Sequence, residues 1–134
     1  KSNFNSWQKQ CLHWKKKYTI NDGKPFKRSK NINHYEFFDF LSNFLPKNLV
    51  ISTGSSGLGI EVFYSVFRNK VGQRIFLTSG LGSMGYGLPS AIGSCFANNK
   101  KPMVLIEGDG SFQLNIQEMA VISEFNLPIC IIAF

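Results

Sequence analysis

The clearest chemical signal in the sequence is Gly108-Asp109-Gly110-Ser111, which follows an apolar stretch and precedes a predicted helix. Glycines on both sides of Asp109 let the backbone approach a ligand closely, because they carry no side chain. Backbone N–H groups at a helix start can hold phosphate oxygens, and Mg²⁺ takes one or two carboxylates together with phosphate oxygens. The run predicts a phosphate and magnesium site with Asp109 as metal ligand. A plain turn before a helix has the same composition, so the run alone does not decide.

A second glycine-rich loop covers residues 80–87 and holds four glycines in eight residues, with Met84 and Tyr86 between them. Two interpretations fit this composition. The glycines could allow a helix to pack closely on a strand. They could instead form a backbone surface that touches a flat ligand, with Met84 as an apolar platform.

One more glycine-rich stretch, Thr53-Gly54-Ser55-Ser56-Gly57-Leu58-Gly59, resembles a nucleotide-binding glycine turn. It raises an alternative, a nicotinamide-dependent short-chain oxidoreductase. That class pairs a tyrosine with a lysine four residues later. The four tyrosines here are followed at that distance by Asp22, Asp39, Arg68 and Ser90, which weakens the alternative without eliminating it.

The elements around these loops alternate between strands and helices. Apolar runs predict strands over 48–53, 74–78, 102–107 and 128–134, and helical patterns separate them over 60–67, 86–97 and 112–125. This alternation predicts an α/β fold, a doubly wound parallel sheet with helices on both faces. Ligands bind beyond the carboxyl ends of the strands in such sheets, where all three loops fall.

The N-terminal part has a different character. Residues 4–18 have helical spacing, residues 19–31 are polar and basic, and a helix is predicted from an Asn33 cap to Leu45, before Pro46. Its apolar face is assigned to Tyr35, Phe37, Phe38, Phe40, Leu41, Phe44 and Leu45. We divide the chain into an N-terminal helix and basic linker, residues 1–32, and a binding domain, residues 33–134. The basic stretch is interpreted as a solvated linker rather than a nucleic-acid surface.

Composition sets the broad class. The chain has 134 residues, 43% of them hydrophobic, and a net charge of +7. No apolar run approaches a membrane span, so no membrane partner is expected. Three widely spaced cysteines predict neither a disulfide framework nor a metal site and favour a reducing cytoplasm. An absent initiator Met and an apolar C-terminus suggest a segment of a longer protein, with the sheet truncated at its C-terminal end.

Three stretches together resemble the cofactor-diphosphate domain of the acetolactate-synthase-like thiamine-diphosphate enzymes: 77–89, 91–93 and 108–118. The resemblance runs from about Val50 to Phe134 and is specific in order and spacing. It implies the thiamine-diphosphate-binding fold, with thiamine diphosphate and Mg²⁺ as cofactors. It also implies a parent lyase or transferase that decarboxylates a 2-oxo acid or makes a carbon–carbon bond from it.

The resemblance also implies site residues. Asp109 would coordinate Mg²⁺, and the backbone of Gly108, Gly110 and Ser111 would meet the diphosphate. The Gly82 carbonyl would accept from the cofactor's amino group, and Met84 would wedge between its two rings. Close acetolactate synthases carry a Gln-His pair where Gly57 and Leu58 stand here, so Ser55, Ser56 and the Gly57 backbone would substitute in holding the diphosphate.

Several parts of such an enzyme are expected outside this chain. The activating glutamate lies in a pyrimidine-binding domain, of the same or a neighbouring subunit, so no catalytic residue is predicted here and a homodimer or tetramer is implied. The asparagines that close the magnesium motif would follow the last strand. The fragment alone is therefore expected to be inactive. A non-catalytic assembly module with the same fold is a further alternative.

Overall fold

A parallel four-stranded sheet lies at the centre of the computed structural model, which describes residues 4–55, 57–78 and 80–134. Its strands are β1 (Val50–Thr53), β2 (Arg74–Phe76), β3 (Met103–Glu107) and β4 (Ile129–Ala133). The spatial order is β2-β1-β3-β4, and every neighbouring pair is parallel. The four predicted strands are confirmed, each slightly shorter than expected.

Within the described ranges, six α-helices surround or precede the sheet: α1 (Asn5–Lys17), α2 (His34–Phe44), α3 (Gly57–Val66), α4 (Gly87–Ala97), α5 (Asp109–Gln113) and α6 (Met119–Glu124). Short 3₁₀ turns cover Ile20–Gly23 and Ile116–Glu118. None of the helices among the described residues is long and apolar enough to cross a membrane.

The sheet has a packed layer on each face. Successive side chains of a strand point to opposite faces. Ile51, Val104 and Ile106 therefore meet α2 and α3, while Val50, Met103 and Leu105 meet α4. Side chains of α6 pack against this second layer. These two layers confirm the α/β prediction of a parallel sheet with helices on both faces.

The strand order creates a switch point between β1 and β3. From β1 the chain crosses to β2 on one side, and later places β3 and then β4 on the other side. Thr53 pairs with Ile106 at the carboxyl ends of these two strands. A crevice at this position is where open α/β sheets bind ligands.

Helix α2 begins and ends as predicted, but its predicted apolar face is only partly correct. The Asn33 side chain accepts hydrogen bonds from the N–H groups of Tyr35 and Glu36, at 2.9 and 3.3 Å. Phe38, Leu41 and Leu45 are buried, and Phe37 is half-buried. Tyr35, Phe40 and Phe44 are exposed, because a helix against one sheet face buries only one stripe.

The predicted single helix over 112–125 is wrong. The segment instead holds the last residues of α5, a 3₁₀ turn and α6. The break falls at Asn115, which has φ −131° and ψ 30° and donates its side-chain amide to the Gly85 carbonyl at 2.6 Å. Asparagine is a weak helix former, so a tertiary hydrogen bond competes readily with the helical conformation.

Candidate functional site

Three glycine loops lie at the carboxyl ends of the strands. In chain order they are the first loop (54–57), the second loop (80–87) and the third loop (108–111). The first and third follow the neighbouring strands β1 and β3. Gly54 N–H donates to the Ile106 carbonyl at 2.9 Å, and Asp109 N–H donates to the Phe134 carbonyl at 2.9 Å. Backbone pairing thus fixes the start of both loops relative to the sheet.

A buried carboxylate joins all three loops. Glu107, the last residue of β3, is fully buried. A Cβ on Gly54 would lie 1.7 Å from Glu107 Oε1, and a Cβ on Gly87 would lie 1.9 Å from Oε2. Only glycine fits at either place, because the carboxylate fills the space that a side chain would need.

The two carboxylate oxygens of Glu107 differ in their hydrogen bonding. Its Oε1 accepts from the Gly108 N–H at 3.0 Å, within the third loop. Its Oε2 has no hydrogen-bond partner among the described residues. A buried oxygen without a partner is costly, and such atoms concentrate at functional sites. Glu107 was not among the predicted site residues, although a charged residue that ends an apolar strand before glycines was a usable signal.

Two side chains fasten the second loop to the segment around the third. The Gly85 N–H donates to Ser111 Oγ at 2.8 Å, and Asn115 Nδ2 donates to the Gly85 carbonyl at 2.6 Å. Ser111 is only 3% exposed. Its hydroxyl is therefore committed to the second loop. Asn115 lies within the family-like stretch 108–118 but was not predicted as a site residue.

The first and second loops are also joined directly. Ser55 Oγ donates to the Gly82 carbonyl at 2.7 Å. Gly82 has φ +60°, a left-handed conformation that glycine adopts without strain. A carbonyl oxygen has two lone pairs, so it can accept a second donor beside Ser55. Met84, between Gly82 and Gly85, has a 59% exposed side chain.

The end of β1 contacts a tyrosine hydroxyl on α3. Thr53 Oγ1 donates to the Phe76 carbonyl at 3.0 Å and lies 2.8 Å from the Tyr64 hydroxyl on α3. Burial raises the pKa of Tyr64, and the hydrogen bond with Thr53 opposes that rise. The phenol therefore stays neutral at neutral pH and supports the strand end as a hydrogen-bonding group.

Asp109 lies exposed at the start of α5, and its Oδ1 accepts from the Gly110 N–H at 2.7 Å. Helix α5 has only five residues, so its dipole adds less to phosphate binding than the long helix expected from the sequence. Added Cβ atoms on Gly57 and Gly110 would meet nothing within 4 Å, which leaves open space beside both loops. The described residues contain no group of three acidic, His or Cys side chains that could hold a metal ion.

The structure brings together most residues that the sequence predicted. Ser55 contacts Gly82, Ser111 contacts the second loop, and Gly108 and Asp109 follow directly on β3. Gly57 is exposed at the start of α3. Ser56, also predicted, lies outside the described residues.

Comparison with known families decides what this arrangement is. Residues 52–134 match the sequence profile described as "Thiamine pyrophosphate enzyme, C-terminal TPP binding domain". The chain belongs to the thiamine pyrophosphate enzyme family. The match begins in β1 and includes all three glycine loops. It confirms the resemblance predicted from the sequence.

Individual relatives agree with the thiamine pyrophosphate family. The chain is 34% identical over 128 residues to the acetolactate synthase large subunit of Porphyra purpurea, covering 95% of the chain and 20% of the relative. It is 38% identical over 104 residues to the acetolactate synthase isozyme 1 large subunit of Escherichia coli K12, covering 75% and 18%. A probable acetolactate synthase large subunit of Methanocaldococcus jannaschii is 34% identical over 116 residues, covering 84% and 19%. The chain thus spans about one fifth of the length of these relatives.

Proposed function

We propose that the protein containing this domain is an acetolactate-synthase-like enzyme that uses thiamine diphosphate and Mg²⁺ to decarboxylate a 2-oxo acid and form a carbon–carbon bond. The observation that carries the proposal is the convergence of three glycine loops at the β1–β3 switch point of a thiamine pyrophosphate domain. The names of its relatives point to acetolactate-type chemistry.

The residues present fit the cofactor and the ion. Asp109 is an exposed carboxylate, and magnesium needs one or two carboxylates once a diphosphate supplies further oxygens. Gly57 and Gly110 border open space, so ligand atoms can approach their backbone. When bound, thiamine diphosphate supplies the electron sink for loss of carbon dioxide, and the protein supplies positioning and electrostatics.

Each of the three glycine loops has a proposed role in holding the cofactor. Asp109 would hold Mg²⁺, with the backbone of Gly108, Gly110 and Ser111 around the diphosphate. Ser55, Ser56 and Gly57 would hold the diphosphate from the first loop. In the second loop, the Gly82 carbonyl would orient the aminopyrimidine and Met84 would support the bent cofactor.

The remaining parts of the enzyme are proposed to come from elsewhere in the assembly. An activating glutamate would be contributed by a pyrimidine-binding domain of the same or a neighbouring subunit, in a homodimer or tetramer. This chain alone would then be inactive as a lyase or transferase. Its three cysteines are free, Cys95 buried and the other two exposed, which supports a reducing, cytoplasmic location.

Carbon dioxide release from pyruvate by the full-length protein tests the proposal. We expect release only with thiamine diphosphate and Mg²⁺ together. If pyruvate gives none, a panel of other 2-oxo acids separates a different donor from an inactive module. Cofactor binding without turnover on any donor would reject the enzymatic proposal in favour of an assembly module.

A nicotinamide-dependent oxidoreductase predicts a different result. It would bind a nicotinamide dinucleotide and would not respond to thiamine diphosphate. We expect isothermal titration of the full-length protein to show thiamine diphosphate binding in the presence of Mg²⁺ and no binding of the dinucleotide. The opposite pattern would reject the thiamine-diphosphate proposal.

A further inference from the structure

Gly85 in the second loop is hydrogen-bonded through both of its backbone polar groups. The N–H and the carbonyl of Gly85 are both hydrogen-bonded, to Ser111 Oγ at 2.8 Å and to Asn115 Nδ2 at 2.6 Å. Both partners belong to the segment that carries Asp109. Gly85 directly follows Met84, so these two bonds fix the backbone on one side of that residue.

The geometry at Gly85 admits little freedom. Its φ is +81°, which side-chain-bearing residues rarely adopt. A Cβ there would lie 2.8 Å from Asn115 Nδ2 and 3.2 Å from Leu114 Cβ. The absence of a side chain thus lets the Asn115 amide approach the backbone.

The orientation of the Asn115 amide is also determined. The Gly85 carbonyl can only accept, so the amide atom 2.6 Å from it is the donor Nδ2, and Oδ1 then accepts from Gln117 Nε2 at 3.2 Å. The interruption of the helix at Asn115 places this amide against the second loop. A continuous helix over 112–125 would not have the backbone conformation observed there.

Packing of its side chain does not hold Met84 in place. Its side chain is 59% exposed, so few neighbours restrain it. The restraint comes from the backbone on either side, through the Ser55 bond to Gly82 and the two bonds to Gly85. The Ser111 bond links the Met84–Gly85 peptide to the third loop, and the Asn115 bond links the following peptide to the segment after that loop.

We propose that Ser111 and Asn115 are positioning residues that hold Met84 in its working conformation and couple it to the third loop. The inference rests on the proposed function, because the task of Met84 is to support the bent cofactor. It adds a role for the Ser111 hydroxyl distinct from that of its backbone. It assigns Asn115, outside the predicted binding set, to the site.

Hydrogen exchange tests the Gly85 clamp, the two hydrogen bonds between Gly85 and the side chains of Ser111 and Asn115, in the absence of any cofactor. We compare the full-length protein with its Ser111→Ala and Asn115→Ala variants, following the amides of residues 82–87. One net hydrogen bond is worth about 0.5–1.5 kcal/mol, so we expect exchange about 2- to 13-fold faster in either variant. Gln113→Ala, at an exposed position on α5, is the matched control and should leave exchange unchanged. Unaltered exchange in both clamp variants overturns the proposal.

Kinetics of Asn115→Ala test the consequence for the cofactor. We expect thiamine diphosphate affinity and substrate KM to stay within about 2-fold, because Asn115 only positions another residue, while kcat falls about 10-fold or more. Unchanged kcat would reject the positioning role. If the alanine variant fails to fold, Asn115→Asp keeps the side-chain shape and removes the donor.

The two experiments separate the inference from the proposed function. Faster exchange in the clamp variants, with no thiamine diphosphate binding by the unaltered protein, would reject the proposed function and with it the role of the clamp in catalysis. Cofactor-dependent activity with unaltered exchange would keep the function and reject the clamp.

Discussion

At the scale of single residues, the contact between Glu107 and two glycines shows how the site is assembled. A buried carboxylate oxygen without a partner costs free energy, as does any polar group removed from water. Glu107 Oε2 nevertheless lies in this state, pressed against Gly87, while Oε1 contacts Gly54 and Gly108. The side chain therefore fixes the separation of three loops at once.

Alanine at Gly54 or Gly87 should destabilise the domain by about 1–3 kcal/mol or more, because the new Cβ would overlap the Glu107 carboxylate. The shift of the urea midpoint of unfolding measures the effect. Gly93→Ala is the matched control within α4, since a Cβ there meets nothing within 4 Å. It should be neutral or stabilising by up to about 1 kcal/mol. Equal midpoints for all three variants would contradict the packing argument.

Asp109→Asn should abolish magnesium-dependent binding of thiamine diphosphate, because the amide lacks the charge that a hard cation requires. Titration of the full-length protein with cofactor at saturating Mg²⁺ measures this. Glu124→Gln, an exposed change of the same type on α6, serves as control. An unchanged affinity in Asp109→Asn would remove the metal assignment.

Met84→Ala should leave the cofactor bound and slow turnover about 10-fold or more, because it removes the apolar support without touching the diphosphate loops. Its exposed side chain contributes little to stability, so the variant should fold normally. Steady-state rates and cofactor affinity are measured together. Rates equal to those of the unaltered protein would show that Met84 has no such role.

At the scale of elements, contacts along α2 hold this helix to its neighbours. Helix α2 has an Asn33 cap at its start, and Lys70 Nζ donates to the Asn43 carbonyl at 2.9 Å near its end. Arg68 forms an ion pair with Asp39 on the same helix. These contacts attach α2 to the segment after α3.

Asn33→Ala should lower the unfolding free energy by about 1 kcal/mol, because two N–H groups at the start of α2 lose their acceptor. Urea denaturation detects a change of this size. Asn31→Ala is the control, since its backbone N–H, not its side chain, makes the hydrogen bond in this turn. Equal effects of the two substitutions would show that capping contributes nothing here.

At the scale of the whole molecule, binding at the three loops should stabilise the fold. A ligand that binds only the folded state adds about 2.7 kcal/mol at one hundred times its dissociation constant. We expect thiamine diphosphate with Mg²⁺ to raise the thermal midpoint of the full-length protein, and a nicotinamide dinucleotide at equal concentration to leave it unchanged. A rise with the dinucleotide alone would favour the oxidoreductase alternative.

The strands, the parallel α/β fold and the family could be predicted from the sequence because these depend on local patterns. An apolar run such as 103–106 followed by glycines indicates a buried strand and its loop whatever the tertiary contacts are. The Asn33 cap and the Pro46 stop are signals of the same local kind. Positions in the family-like motif identified the loops that the structure then brings together.

What the sequence by itself determined was which segments form strands, loops and most helices, and which cofactor class they suit. Only the tertiary structure decided that the Glu107 carboxylate fills the space beside Gly54 and Gly87. Only the tertiary structure, likewise, decided that Asn115 interrupts the predicted helix and donates to the Gly85 carbonyl. Both contacts join residues at least 20 positions apart in the chain. No local pattern encodes such contacts, because they exist only once the switch point between β1 and β3 has brought the three loops together.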